Sequence, residues 1–327
     1  MITRRVMTGA LVVAVAISTA MPAAAVPTVT DLGVLPGMLN SAALDINVAG
    51  TVVGFSDNRA VRWSADGRIT DLGSLPGDQD SSAAGINRYG VIVGTSARKA
   101  VRWNTDGTIT TLNPPGDYSE ASAVAITDSG VVAGSSWDFP TGKTRALLWE
   151  ADGVVRELEP LPGDNSATIQ DINGDSIAVG YSTNGFSVRA VRWQPDGTAT
   201  QLATLPGGGH TRANGINQIG MITGTVQQGS VSYAVRWERN GSITKLDALP
   251  GGQSAEGTEI NDTGMIVGWS LDAGGESRPV RWAADGSVTD LGVLRGHVWG
   301  YAEAVSNNGM AVGRSIGTNV RGVRWSR

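Results

Sequence analysis

The chain has 327 residues, with 30 Asp plus Glu against 25 Lys plus Arg, and no cysteine. The net charge of −5 opposes nucleic acid or an anionic membrane surface as a partner. The missing cysteine excludes a disulfide framework, so stability has to come from packing and topology.

Residues 1–25 read as an export signal. Arg4 and Arg5 form its charged start, Val6 to Ile17 an apolar stretch too short to span a bilayer, and Ala23-Ala24-Ala25 a small-residue cleavage site. The Thr3-Arg4-Arg5 start leaves both the Sec and the twin-arginine route open. Without Arg4 and Arg5 the 25 basic residues fall to 23 against 30 acidic ones, net −7. No later stretch has transmembrane length, so the expectation is a secreted, soluble monomer, with residues 26–327 forming a single domain.

After the signal, Val29-Thr30-Asp31-Leu32 reads as a short strand, here called d. The turn Leu35-Pro36-Gly37 leads to strand a, Ala42 to Ile46, followed by the tetrad Asn47-Val48-Ala49-Gly50. Asn first and Gly last suits a type I turn whose Asn side chain caps its own backbone. Strand b, Val52-Val53-Gly54-Phe55, and strand c, Ala60-Val61-Arg62-Trp63, come next. An Asp66-Gly67 turn then delivers the following d strand.

This unit recurs to the end of the chain. Its Trp returns at Trp63, Trp103, Trp149, Trp193, Trp237, Trp282 and Trp325, at intervals of 40, 46, 44, 44, 45 and 43 residues. Four short strands per period of this length predict a β-propeller. From the Leu of d to the last residue of a is always 14 residues, from there to the Gly of b always 8, and from Trp to the next d Leu always 9. Only Gly to Trp varies, from 9 to 15 residues, so all length variation falls in the b–c loop. Variable loops on a constant scaffold are where binding function is usually carried.

The crossover between blades must span about three strand spacings of roughly 4.8 Å each. The shortest b–c loops, Ser56 to Arg59 and Ser96 to Lys99, reach only about 13 Å extended, whereas Gly33 to Ser41 reaches about 30 Å. The d–a segment is therefore the crossover, a the innermost strand and d the outermost. The predicted fold is all-β, a seven-bladed propeller with four antiparallel strands per blade. Because the chain starts with a d and ends with a c, its N-terminal strand should join the last blade and close the ring. The d–a and b–c loops then share one face, called the top, and the tight turns the other.

Asp-Leu-Gly, Leu-Pro-Gly, Ile-Asn-x-x-Gly, Val-Gly and the Arg-Ala-x-x-Trp strand followed by Asp-Gly together resemble the HAF extracellular repeats, across essentially the whole chain after the signal. The resemblance implies an exported, propeller-like protein and supplies no catalytic residues. The His-Ala-Phe triplet that names the family reads here Arg59-Ala60-Val61, Lys99-Ala100-Val101, Arg189-Ala190-Val191 or Tyr233-Ala234-Val235, so its His and Phe are absent.

Among residues able to carry function, the seven repeated Trp are expected to be structural wedges between blades. Asp45, Asp171 and Glu259 precede the last residue of strand a and are expected to line the channel, where they could hold a hard cation such as calcium; no metal site or cofactor is otherwise indicated. His210 and His297 fall in crossovers, and either, with Glu303 as a neighbouring carboxylate, is a candidate general base. Tyr118, Trp137, Phe139, Phe186, Tyr233, Trp299 and Tyr301 map to the top-face loops or their edges and are candidate ligand platforms. No Walker loop, His-Glu-x-x-His or Gly-x-Ser-x-Gly occurs. The expectation is a secreted module that binds an extracellular saccharide, peptide or protein on its top face. The alternatives are a propeller lyase or hydrolase with a His base, and a purely structural repeat protein.

Overall fold

A computed structural model describes residues 27–116 and 120–326. The export signal at 1–25 and Tyr118 lie outside those residues. The described chain forms seven four-stranded antiparallel sheets arranged as the blades of a propeller. In the first blade the order from the axis outward is Ser41–Ile46, Val52–Ser56, Arg59–Trp63 and Ile69–Asp71. Inner strands of successive blades touch one another right around the ring, which places strand a at the axis. The outermost strand is short, three residues in six blades and four in the third, Val155–Leu158.

The ring closes through the ends of the chain. Val29–Asp31 pairs with Val320–Trp325 in the register Val29↔Trp325, Thr30↔Arg324 and Asp31↔Val323. The Leu32 amide extends the ladder by donating to the Gly322 carbonyl at 2.9 Å. The last blade is thereby built from both termini, and the edge of its third strand is covered.

The core lies between blades. Trp63 packs with Leu32, Ala43, Ile46 and Val61 against Ala304 and Val312 of the seventh blade, and six equivalent clusters repeat the arrangement. All seven repeat tryptophans are buried. Five also donate an indole N–H to a carbonyl at the start of the preceding crossover: Trp149 to Asn113, Trp193 to Glu159, Trp237 to Ala203, Trp282 to Asp247 and Trp325 to Gly292, at 2.7–2.9 Å. All seven therefore fill the wedge, and these five also pin the crossover above it, whereas the buried indole N–H groups of Trp63 and Trp103 have no partner among the described residues.

A bulge in each inner strand explains the glycine of strand b. In the first blade the register shifts between Ala43 and Asp45, leaving Leu44 as the extra residue. The bulged backbone comes so close that a Cβ on Gly54 would lie 2.0 Å from the Ala42 carbonyl oxygen. The same approach recurs at the other six blades.

The a–b turns are capped as their sequence predicts: Asn47 Oδ1 accepts from the amides of Ala49 and Thr51. The remaining amide of each Asn reaches the next blade. Asn47 donates to the Asn87 carbonyl and Asn87 to Thr127; Asn173 donates to Asn217, Asn217 to Asn261 and Asn261 to Ser306, all at 3.0–3.2 Å. These bonds form a belt around the lower mouth of the channel.

Candidate functional site in the central channel

Two cavities are stacked along the axis. The lower, about 800 Å³, is lined by the a–b turns and the Asn belt. The upper, about 520 Å³, lies between the inner strands on the side of the crossovers. Their common wall includes Ile126, Ile172, Ile216 and Val305, the last residues of four inner strands.

The wall of the upper cavity is lopsided. The residue two before the last of each inner strand borders it in all seven blades, and in the fifth and sixth blades so does the residue four before the last. Blades one to three supply Leu44, Ala84 and Val124 there, all aliphatic. Blades four to seven supply Gln170, Arg212, Asn214, Glu256, Thr258 and Glu303. The residue after the strand-b glycine is paired directly across from the upper of these positions, giving Thr168↔Tyr181, Glu256↔Trp269 and Tyr301↔Arg314. Apart from Asp45 lower in the wall and Phe55 paired behind Ala42, the aliphatic side of the cavity thus faces a half-ring of hydrogen-bonding, charged and aromatic groups.

Within the half-ring the side chains hold one another in place. Asn214 Nδ2 donates to Glu256 Oε1 at 3.0 Å and to the Gly257 carbonyl at 2.8 Å. The Arg212 guanidinium lies 4.6 Å from the centre of the Tyr181 ring. Trp269 meets Tyr301 edge to face, with ring centres 6.2 Å apart, and Arg314 sits 5.0 Å over the other side of the Tyr301 ring. Arg314 also reaches Glu303 at 3.3 Å, while its buried Nε has no partner.

Below them sit Asp45, Asp171 and Glu259, brought into the channel wall by the bulge as their position predicts. Each bridges or caps backbone. Asp45 accepts from its neighbour Ile46 and from Ile86 of the next blade; Asp171 accepts in the same way from Ile172 and Ile216; Glu259 accepts from Ile260. Burial among protein raises their pKa values against the pull of the amides. Asp45 is pushed up to about 6 and Asp171 to about 7, with the Asp45 charge adding to the burial of Asp171. Glu259 is held well above the usual carboxylate range by burial and then by the charge of Asp171. Burial also raises Glu256, opposed by the Asn214 hydrogen bond and the Arg212 charge, and raises Glu303, opposed by Arg314. Among the described residues no group of three or more His, Asp and Glu side chains is arranged to hold a metal ion.

The other candidates are spread over the top. Neither histidine lines the cavity. His210 Nδ1 accepts the Val188 amide at 3.0 Å and so ties a crossover to the preceding blade. His297 lies against Gly317 with its Nδ1 buried and unpartnered. Glu303, on the channel wall, faces Arg314 instead of either histidine. Trp137 and Phe139 pack edge to face on an exposed hairpin of the third blade, and Phe186 stands 92% exposed on the fourth. Tyr233 carries the Lys245 ammonium 3.8 Å over its ring. The Trp299 indole donates to Glu276, and of the aromatic candidates only Tyr301 reaches the channel cluster among the described residues. Crossover carboxylates serve the scaffold: Asp78 binds Ser96 and Lys99, and Asp164 binds Ser182 and Arg189.

Tyr181, Arg212, Asn214, Trp269 and Arg314 were not singled out from the sequence. Their signal lies in aligning the repeats on the strand-b glycine, where the next residue reads Phe55, Thr95, Ser135, Tyr181, Thr225, Trp269 and Arg314. That column is variable although it sits inside a strand.

No family model and no curated protein matches the chain. Solved structures with similar folds include a streptogramin B lyase, with a TM-score of 0.65 at 16% identity over 92% of this chain and 97% of that one. A puromycin hydrolase aligns with a TM-score of 0.60 at 14% identity, over 88% of this chain and 51% of the hydrolase. An oligogalacturonate lyase in complex with manganese aligns at 0.59 with 11% identity, over 84% and 85% of the two chains. At these identities the likeness shows the propeller fold alone.

Proposed function

We propose that the protein is an exported binding module that takes a saccharide or a short peptide into the upper half of the channel. The observation that carries this reading is the lopsided wall: blades four to seven present hydrogen-bonding and aromatic groups already oriented by one another, and blades one to three leave room opposite. A pre-organised polar cluster beside open space is what a small-ligand site requires. The Trp269–Tyr301 pair at its edge offers the apolar face that sugars and aromatic side chains stack on. Export and the kinship with HAF-type repeats are part of the same proposal, supported by the apolar leader and by seven copies of the repeat motifs.

The test is binding on glycan and peptide arrays, followed by calorimetry on the best ligand. Trp269→Ala and Asn214→Ala should each weaken binding at least about tenfold, while Trp137→Ala and Phe186→Ala leave it unchanged. Loss of binding on the loop variants alone would move the site to the rim and overturn the channel reading.

A second reading, a lyase or hydrolase acting over the channel, is favoured by one observation. Glu256 and Glu303 lie on the same wall and are both raised by burial, as groups that trade protons with a substrate often are. In that reading the carboxyls take the proton-transfer role, because neither histidine borders the cavity. Turnover of the bound ligand, abolished by Glu303→Gln with binding retained, would establish it.

A further inference from the structure

We infer that the ligand of the upper channel carries a carboxylate, as a uronic-acid sugar does, and that Arg212 receives it; this rests on the channel being the binding site. Charged groups on the wall are otherwise engaged. Arg314 faces Glu303 at 3.3 Å, Glu256 accepts from Asn214, and Asp45 and Asp171 accept backbone amides from two blades. Arg212 differs. It is exposed to the cavity, and among the described residues its guanidinium has neither an ion-pair nor a hydrogen-bond partner; it rests only on the Tyr181 ring, 4.6 Å away.

That setting suits an arginine waiting for an anion. The Tyr181 face supports the guanidinium plane from one side without taking up any of its five N–H donors. Its edge is therefore free to form a two-pronged contact with a carboxylate. Burial weakens the competition of the nearby carboxyls for its charge. Glu256, the one whose acidity Arg212 influences, is held above the usual carboxylate range by burial, and Asp171 deeper in the wall is pushed up to about 7. Next to Arg212, Asn214 and Gln170 line the cavity with amide groups suited to ring hydroxyls. A neutral sugar would leave the Arg212 charge without a partner in a confined site.

The experiment is calorimetry at about pH 6 with a panel of hexuronate trisaccharides and their carboxyl-reduced counterparts, on the wild type, Arg212→Gln and Arg212→Lys. One or more uronates should bind at least about tenfold more tightly than the reduced sugar. Arg212→Gln should erase that preference, with Arg212→Lys intermediate because an ammonium lacks the planar fork. Unchanged melting temperatures would confirm that each variant is folded. Equal binding of acidic and reduced sugars, or a preference that survives Arg212→Gln, overturns the inference and leaves the channel site standing. Binding of neither series overturns the inference, and if the peptide arrays are blank as well the channel reading falls with it.

Discussion

The carboxylate of Asp45 lies 2.8 Å from the amide nitrogen of Ile86, one blade further round the ring. The same side chain accepts from its own neighbour Ile46, so a single carboxylate ties two inner strands together at the channel wall. Asp171 repeats this between the fourth and fifth blades through Ile172 and Ile216. These groups serve as staples, yet burial makes their charged form costly.

That conflict fixes a pH dependence. The folded-state values of Asp45 and Asp171, about 6 and about 7, lie above the 3.8 of an exposed Asp. A group raised on folding contributes stability that is fully present below its unfolded value and lost as the pH climbs through its folded value. The melting temperature should therefore decline between about pH 5 and pH 8. Thermal melts across that window would check it; a flat or rising profile would show that the amide hydrogen bonds outweigh burial.

Gly224→Ala should destabilise severely. A Cβ there would meet the Arg212 carbonyl oxygen at 2.0 Å, and a backbone atom cannot swing aside as a side chain can. Overpacking of this kind costs about 3 kcal/mol or more. Gly67→Ala, at φ +88° in an open turn, meets no atom within 4 Å and should cost only about 1 kcal/mol through its backbone conformation. Urea unfolding of both variants would separate the two causes.

Removing residues 27–32 should expose the edge of Val320–Trp325 and uncover part of the pocket around Trp63, which Leu32 helps to close. The expected result is a lower melting temperature together with self-association, since an unpaired edge invites another strand. Light scattering during a melt would report both. A truncated protein that stays monomeric and equally stable would mean the seventh blade needs no fourth strand.

Trp193→Ala should cost about 3–5 kcal/mol, the usual range for deleting a large buried aromatic. It removes a fully buried ring and leaves the Glu159 carbonyl without its indole donor. Trp137→Ala, at an exposed hairpin, should change stability by less than about 0.5 kcal/mol. Denaturant melts of the pair would show whether the repeated Trp builds the ring.

Most of the ring could be read from the sequence, because each conserved spacing reflects a local necessity: an Asn-capped turn at Asn47, an Asp66-Gly67 hairpin, a glycine where strand a crowds strand b. The place of Asp45, Asp171 and Glu259 followed from the same alignment. The cluster of Arg212, Asn214, Trp269 and Arg314 did not. These residues occupy strand positions that look structural, and only the curvature of seven sheets about one axis brings them together. Exposed aromatics such as Trp137 and Phe186 stand in long loops, where binding function is often carried, yet neither borders the upper channel.

The belt of asparagines around the lower mouth has two breaks. Thr127 and Ser306 accept from the preceding blade but have no side-chain amide to pass on. The neighbouring rim contacts, Arg88 with Asp128, Gly174 with Gln218, Gln218 with Asp262 and Asp262 with Asn307, respect the same breaks, as do the staples of Asp45 and Asp171. Further out, Arg156 to the Pro195 carbonyl and Arg324 to the Ala65 carbonyl still cross them. At the lower mouth the side-chain bonds between blades therefore fall into two sets, blades one to three and blades four to seven, while Ile169 to Ser135 and Gly322 to Ser41 join the sets higher in the ring. Those two sets coincide with the aliphatic and the polar walls of the upper channel, so the same division of the ring is drawn once by its turns and once by its inner strands.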